Sequence, residues 1–454
     1  MVPPICLQVE TTVTISGDAG DQVGPVPASG TYRAYLMVLL TTAYGLNLLD
    51  RQVINVLAEP IKRDLGLADW QLGALTGLSF ALLYSVAALP IARLADRGDR
   101  VRIIGAAILT WSAFTAACGA AASFVQLLAL RVGVGVGEAG CAPPSQSLIA
   151  DYYPPERRAG ALGNFALGSP VGASIGLAAG GVLVGYLGWR GTLAAVGAPG
   201  LVVGLLVLLT LKDPRRASTA VRPPQPMLRK VLRGLIHQPA FVLLTLGIAL
   251  LQFMHYGAMA FAGSFYLRVH GQEITRIGEA TGLAPLGVIG VGMALFGATG
   301  GVLGAYIGGR LADYLGVRDS RAYALIPAAG SALAMLSYLA MFTAPSGVWS
   351  LVLFMAPSFF GNLWNGPGTL ALQNLAGARS RATALAVVLF VGSALGLGLG
   401  PLTVGTLSDG FSAAMGEAEG LRLAILIGVS AGLLSAISHG LAARWLRWGA
   451  EAAS

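Results

Sequence analysis

Charge is scarce in this sequence. Asp, Glu, Lys and Arg make up only 11% of its 454 residues, against about 25% in an ordinary soluble domain. Lysine is rarer still, with 26 arginines for 3 lysines. Three cysteines, Cys6, Cys118 and Cys141, supply no disulfide framework, and the last two fall inside apolar runs where they read as inert packing residues. Four scattered histidines offer no metal cluster. No phosphate-binding loop ending in Lys-Ser or Lys-Thr is present, so ATP is not the implied energy source. No nucleophile–base constellation is visible either, and the sequence reads as a non-enzyme without metal or cofactor. The alternating strands of a membrane barrel, about ten residues each, are missing as well.

What is abundant is apolar chain. Hydrophobic residues reach 55%, and mean hydropathy is +0.71. Apolar stretches of about 20 residues, enough to cross a bilayer as helix, recur from end to end. Only helices and closed barrels satisfy their backbone in lipid, so the fold class is an all-α polytopic membrane protein. The segments run roughly over 33–58, 71–94, 101–121, 124–149, 160–187 and 190–211, then over 239–267, 283–311, 321–343, 347–375, 381–408 and 420–446. Twelve transmembrane helices in two bundles of six are therefore expected, over 31–211 and 239–448, with a basic linker at 212–238. Residues 1–30 are polar and contain no Lys or Arg. They lack the basic start of a signal peptide and read as a disordered tail.

Loop charge orients the helices. With loops placed on alternate sides, 21 Lys and Arg fall on the side of the linker and both termini. Six fall on the other: Lys62, Arg63, Arg190, Arg268, Arg276 and Arg422. Both termini and the linker are thus expected in the cytoplasm, with the chain in the inner membrane. This distribution explains the net charge of +8 as topology rather than nucleic-acid binding.

An internal repeat supports the division into halves. ARLAD at 92–96 closes the second helix and GRLAD at 309–313 closes the eighth, 217 residues later. Glycines recur every four residues at 168, 172, 176 and 180, at 300, 304 and 308, and at 392, 396 and 400. That spacing puts each set on one helix face and lets backbones approach closely.

Against this apolar background, charges inside helices stand out. A charge near the bilayer centre costs roughly 2.5–3.5 kcal/mol, yet the first helix holds Asp50 and Arg51 and the fourth holds Arg131 and Glu138. Thr41, Tyr44, Asn47, Arg51 and Asn55 form one polar stripe on the first helix. Arg131 and Glu138 are seven apart, hence on one face and about 10 Å apart along the axis. Polar faces of this kind line a water-filled cavity. Asp50 and Arg131 fall at nearly the same depth and are expected partners, and Arg51 is the only obvious cation for the deeper Glu138. The 217-residue shift takes Arg131 and Glu138 to Val348 and Met355. The charge chemistry is therefore confined to the first half, an asymmetry that suits an amphipathic substrate with its headgroup there and its tail against the second half. His255, Tyr256 and His439 read as packing residues. Asn362, Trp364 and Asn365 precede a Gly-Pro-Gly helix break and either line the cavity or satisfy broken backbone.

The motifs carry a resemblance. GRLADYLGVR, with Gly309, Asp313, Gly316 and Arg318, resembles the signature that follows the second and eighth helices of major facilitator superfamily transporters. ARLADRGDRVR keeps Asp96 and Arg97 but has Ala92 for the glycine. RVGVGVGE resembles the superfamily's fourth-helix motif through Arg131 and Gly135, and GSPVG at 168–172 its fifth-helix motif incompletely. Within the superfamily, LNLLDR, GVGEAGCAPPSQSLIADYYPPERRAGALGNF and GSPVGASIG resemble the spinster family. The resemblance implies two pseudo-symmetric six-helix bundles that transport by alternating access, with Asp96, Arg97, Asp313 and Arg318 gating the inner side. It implies an anionic, amphipathic substrate such as a lysolipid or sphingoid phosphate, and proton coupling. Asp50, Arg51, Arg131, Glu138, Tyr44 and Asn47 are the expected substrate-binding residues, with Glu138 the expected proton site and Asp50 its rival. The arginine excess hints at a bacterial source, where the substrate can differ, and a monomer is expected. A general drug, sugar or organic-anion carrier of the same fold remains open, as does a non-transporting protein in which the charges only tie helices together.

Overall fold

The computed structural model describes residues 29–79, 98–214, 228–376 and 380–446, with isolated positions between 80 and 97. The described residues are helical throughout, with no strand among them. The long helices are α1 (Gly30–Val56), α2 (Asp69–Gly73, continuing as a π-helical stretch to Leu78), α3 (Arg100–Cys118), α4 (Phe124–Tyr152), α5 (168–187) and α6 (189–210) in the first half. The second half holds α7 (Pro239–Val269), α8 (Pro285–Gly316), α9 (Ala322–Phe342), α10 (Gly347–Ala376), α11 (Thr383–Met415) and α12 (Glu417–Trp445). Eleven of these are described from end to end. Of α2 the start is described, and the remainder falls largely outside the described residues, as do Asp96 and Arg97.

Local sequence explains the boundaries. Ser29 caps α1 by accepting a hydrogen bond from Tyr32 N at 3.1 Å. The short helix Ala58–Leu65 that continues α1 stops at Gly66, whose φ of 63° suits a residue without Cβ. Residues Gly168–Thr210 are helical except at Gly188, with φ 63° and ψ 177°. An unbroken helix of that length would measure about 65 Å, twice a bilayer core. The chain reverses instead, and both ends of the pair lie beside the start of α1, Gly168 against Thr41 and Thr210 against Tyr35.

The glycine ladders are the close contacts that their spacing predicts. Gly168, Gly172 and Gly176 of α5 press on the backbone of α1, and a Cβ at Gly176 would sit 2.6 Å from Leu49 O. Gly392, Gly396 and Gly400 of α11 press on α7, where a Cβ at Gly400 would sit 2.7 Å from Phe253 O. The contact of α5 on α1 thus recurs as α11 on α7, six helices later. Gly300, Gly304 and Gly308 of α8 lie against Met355, Phe359 and Leu363 of α10.

The halves meet at the end away from the termini, hereafter the far end. Gly181 and Gly290 bring α5 and α8 together there, and Gly73 and Gly77 bring α2 against Pro401 and Leu397 of α11. Among the described residues, every hydrogen bond and ion pair between the halves lies at this end. The far end is closed.

Candidate functional site

The charged groups expected inside the first half are inside it. Asp50 (3% exposed), Arg131 (2%) and Glu138 (1%) are buried, with Asn47 at 3% beside them. Arg51 of α1 donates from Nε to Glu138 Oε2 of α4 at 2.7 Å. Glu138 ends the first segment of α4, Phe124–Glu138, and a second segment runs Ala142–Tyr152. Pro143 and Pro144 explain the break, because neither can donate to the carbonyl four residues back. Gly133, Gly137 and Gly140 turn toward Phe114, Trp111 and Ala107 of α3. They set α4 against α3 and leave the Arg131–Glu138 face toward α1.

Asp50 and Arg131 do not pair. Asp50 Oδ2 instead accepts a hydrogen bond from Thr115 Oγ1 of α3 at 3.0 Å, and no ion pair joins Asp50 to Arg131 among the described residues. Matching depths were an incomplete guide. Neighbouring residues on a helix point about 100° apart, so when Arg51 faces α4, Asp50 faces α3. Arg131 is left with a buried Nε that has no hydrogen-bond partner among the described residues, and Glu138 Oε1 is unpartnered too. Sequence reading missed Thr115, although Trp111, Ser112, Thr115 and Cys118 trace one buried face of α3.

The buried cluster thus holds one made ion pair, one hydrogen-bonded carboxylate and one guanidinium with bonding capacity to spare. The family model of the major facilitator superfamily matches residues 40–401, most of the chain and all of this site. The chain belongs to the major facilitator superfamily. It is 34% identical over 440 residues to an MFS-type efflux pump of Mycolicibacterium smegmatis, covering 95% of this chain and 97% of that one. It is 28% identical over 398 residues to protein spinster homolog 1 of Xenopus tropicalis, covering 84% and 74% of the two chains. A solved structure of a bacterial homolog to the human lysosomal transporter spinster, inward-facing and unoccupied, is 32% identical, with a TM-score of 0.82 over 93% of this chain and 100% of that one. The protein is a spinster-like superfamily transporter of the polytopic membrane class, and no enzyme.

The remaining sequence candidates divide. Tyr44 is half-buried and stacks on Phe165 at 4.8 Å between centroids. Asn362 donates to Ser358 O at 2.7 Å and Asn365 to Asn362 Oδ1 at 2.9 Å, so both amides serve the interrupted backbone of α10. His439 is fully buried against Gly247, with Nδ1 2.9 Å from Ser435 O. His255 shares a 2.9 Å hydrogen bond with Tyr338 and is half-buried. Of the superfamily's signature residues, Asp313 and Arg318 are exposed at the end bearing the termini. Arg318 lies 4.5 Å over the Tyr314 ring, and Asp313 makes no ion pair among the described residues.

A second charged group was missed altogether. Loop counting treated Lys62 and Arg268 only as topology signals and gave Glu59 and Asp69 no role. In the structure Arg268 sits at the end of α7, 2.8 Å from both Glu59 Oε2 and Asp69 Oδ2 of the first half. Nothing in the spacing of these residues announces the contact, because it joins positions 199 and 209 apart in the chain.

Proposed function

We propose that this chain is a proton-coupled secondary transporter of an anionic, amphipathic small molecule, working by alternating access with both termini in the cytoplasm of a bacterial cell. The observation that carries the reading is the Arg51–Glu138 ion pair beside Arg131. The site sets two guanidiniums beside two buried carboxylates, but only Arg51 and Glu138 are ion-paired and Asp50 is held by Thr115, so Arg131 keeps bonding capacity for an anionic ligand. An anionic headgroup would bind Arg131 and draw Arg51 from Glu138, which would then take a proton. Substrate release would restore the ion pair and return the proton. Each exchange trades one charge-assisted contact for another, so the differential binding required is a few kcal/mol. Thr115 would hold Asp50 in place through the cycle. The acyl portion would lie against the second half, where α10 carries no Asp, Glu, Lys or Arg. The helix caps Ser123 and Ser346 set α4 and α10 223 residues apart, so Arg131 and Glu138 match Phe354 and Gly361 rather than the expected Val348 and Met355. The 21-to-6 excess of Lys and Arg supports the orientation.

A second reading is a general drug or organic-anion exporter, favoured by the name of the mycobacterial relative. A thermal-shift screen of lysolipids, sugars, organic anions and cationic drugs separates the two. A ligand at 100 times its Kd stabilises by about 2.7 kcal/mol. Stabilisation by anionic lysolipids that disappears in Arg131→Ala supports the proposal. Stabilisation by cationic drugs alone would replace it with the second reading.

A further inference from the structure

The far-end contacts are built in duplicate. Arg268 of the second half is 4% exposed and grips Glu59 and Asp69, themselves 3% and 1% exposed. Asp409, also of the second half, accepts from Asp69 N at 2.9 Å and Trp70 N at 2.8 Å. Those are the first two amides of α2, which an α-helix leaves without internal partners. A carboxylate there is favoured by the helix dipole as well. Ser408 adds a 2.7 Å hydrogen bond to Asp69 Oδ2.

The first half also carries cations of its own for the same two carboxylates. Lys62 Nζ, on a side chain 13% exposed, is 2.9 Å from Asp69 Oδ1. Arg63 Nε is 3.2 Å from Glu59 Oε1 in a weaker, more screened pair, its side chain being 68% exposed. If the halves part at this end, Glu59 and Asp69 each keep a cation, while Arg268 loses both carboxylates and Asp409 loses both amides. A permanent clasp needs no such duplicates. A clasp that opens and recloses does, because a buried carboxylate stripped of its only cation is strongly unfavourable. Lys62 also lies 3.5 Å from Glu417 of the second half, but that side chain is 64% exposed and solvent screens the pair.

We propose that Arg268 and Asp409 are positioning residues for the transport cycle: they latch the far end shut, and Lys62 and Arg63 hold the two carboxylates when it opens. The inference rests on the alternating access proposed above. The latch works on a seam with little slack, since a Cβ at Gly405 would overlap the Asp69 carbonyl and one at Gly181 the Leu286 carbonyl.

Spin labels at Val125 and Val348, exposed at the far ends of α4 and α10, measure the gap in liposomes. Arg268→Gln and Asp409→Ala should each raise the long-distance population relative to the short one about tenfold, as expected for losing hydrogen bonds to charged groups. Asp409→Asn keeps one acceptor for the α2 amides and should shift the ratio less than Asp409→Ala, at an unchanged unfolding temperature. Unchanged ratios in the three variants, in a parent that does sample two distances, would overturn the latch alone. A single distance in the parent and all variants, at both ends of the molecule, would overturn alternating access and the latch with it.

Discussion

Arg51 and Glu138 lie 87 positions apart in the chain and 2.7 Å apart in space, the guanidinium Nε on the carboxylate Oε2. The Glu138 side chain has no exposure, while Arg51 keeps 22%. One partner is therefore shut in and the other remains reachable. This asymmetry suits an arginine that leaves its carboxylate for a ligand, and it makes the pair testable from both sides.

Substitution of the cationic side comes first. Arg51→Ala strands a buried carboxylate and removes the group proposed to take the substrate, so transport should fall by at least about 100-fold, the equivalent of about 2.7 kcal/mol. Asp50→Asn should lower transport similarly while keeping the hydrogen bond from Thr115, so expression and folding stay near those of the parent. Uptake into liposomes and unfolding temperature measured on the same preparations check this. Undiminished uptake by both variants would leave the charges a merely structural role.

Orientation has its own test. Single cysteines placed between residues 215 and 227 should resist an impermeant thiol reagent in intact cells and react once the membrane is opened. Substitution of Cys6, Cys118 and Cys141 by serine removes the background. Labelling from outside would reverse the proposed topology.

Close packing predicts a graded response to added methyl groups. Gly176→Ala puts a Cβ 2.6 Å from Leu49 O and should destabilise by about 1–3 kcal/mol. Gly163→Ala meets nothing within 4 Å and should be neutral or stabilise by up to about 1 kcal/mol through helix propensity. Unfolding temperatures in one detergent compare the two directly.

The Glu59 and Asp69 contacts to Arg268 at the far end should be indifferent to pH across the physiological range. Burial alone would raise the Asp69 carboxyl, but the hydrogen bonds and charge of Arg268, with Ser408 and Lys62, hold it down to about 2. Glu59 is likewise lowered, burial being outweighed mainly by Arg268. A carboxylate lowered in the folded state stabilises fully above its ordinary value, 3.8 for Asp, and loses that contribution as pH falls through its folded value. Closure of the far end through Asp69 is then constant between about pH 5 and 8 and fails only in strong acid. In Glu138→Gln, the Val125–Val348 distance distribution should not change between pH 5 and 8. A pH-driven change in that variant would place a second proton switch at the far end.

Much of this molecule was legible in the sequence, because lipid leaves few options. Apolar length gave the helices, and four-residue glycine spacing marked the faces of α5 and α11 that approach another backbone closely, though not that their partners are α1 and α7. That Asp50, Arg131 and Glu138 turn inward from lipid followed from the cost of charge in hydrocarbon, although they were expected to line a water-filled cavity and are instead nearly closed off from solvent. Rotation about a helix axis was not legible at the needed precision. Depth matched Asp50 to Arg131, but the 100° step from Arg51 turns Asp50 to Thr115. The far-end cluster was hidden for a different reason. Charges near loops are ordinary, and only tertiary folding brings Arg268 to Glu59 and Asp69 and sets Asp409 on the start of α2.

The central claim is that Glu138 exchanges Arg51 for a proton as substrate binds, and Glu138→Gln in liposomes with an imposed pH gradient tests it most directly. Glutamine keeps the shape of the site but carries no titratable proton. The account predicts that gradient-driven accumulation disappears while exchange of labelled for unlabelled substrate, without net proton flow, continues. Accumulation by Glu138→Gln at the parent rate and to the parent level would contradict it and move the proton site to Asp50 or to a histidine.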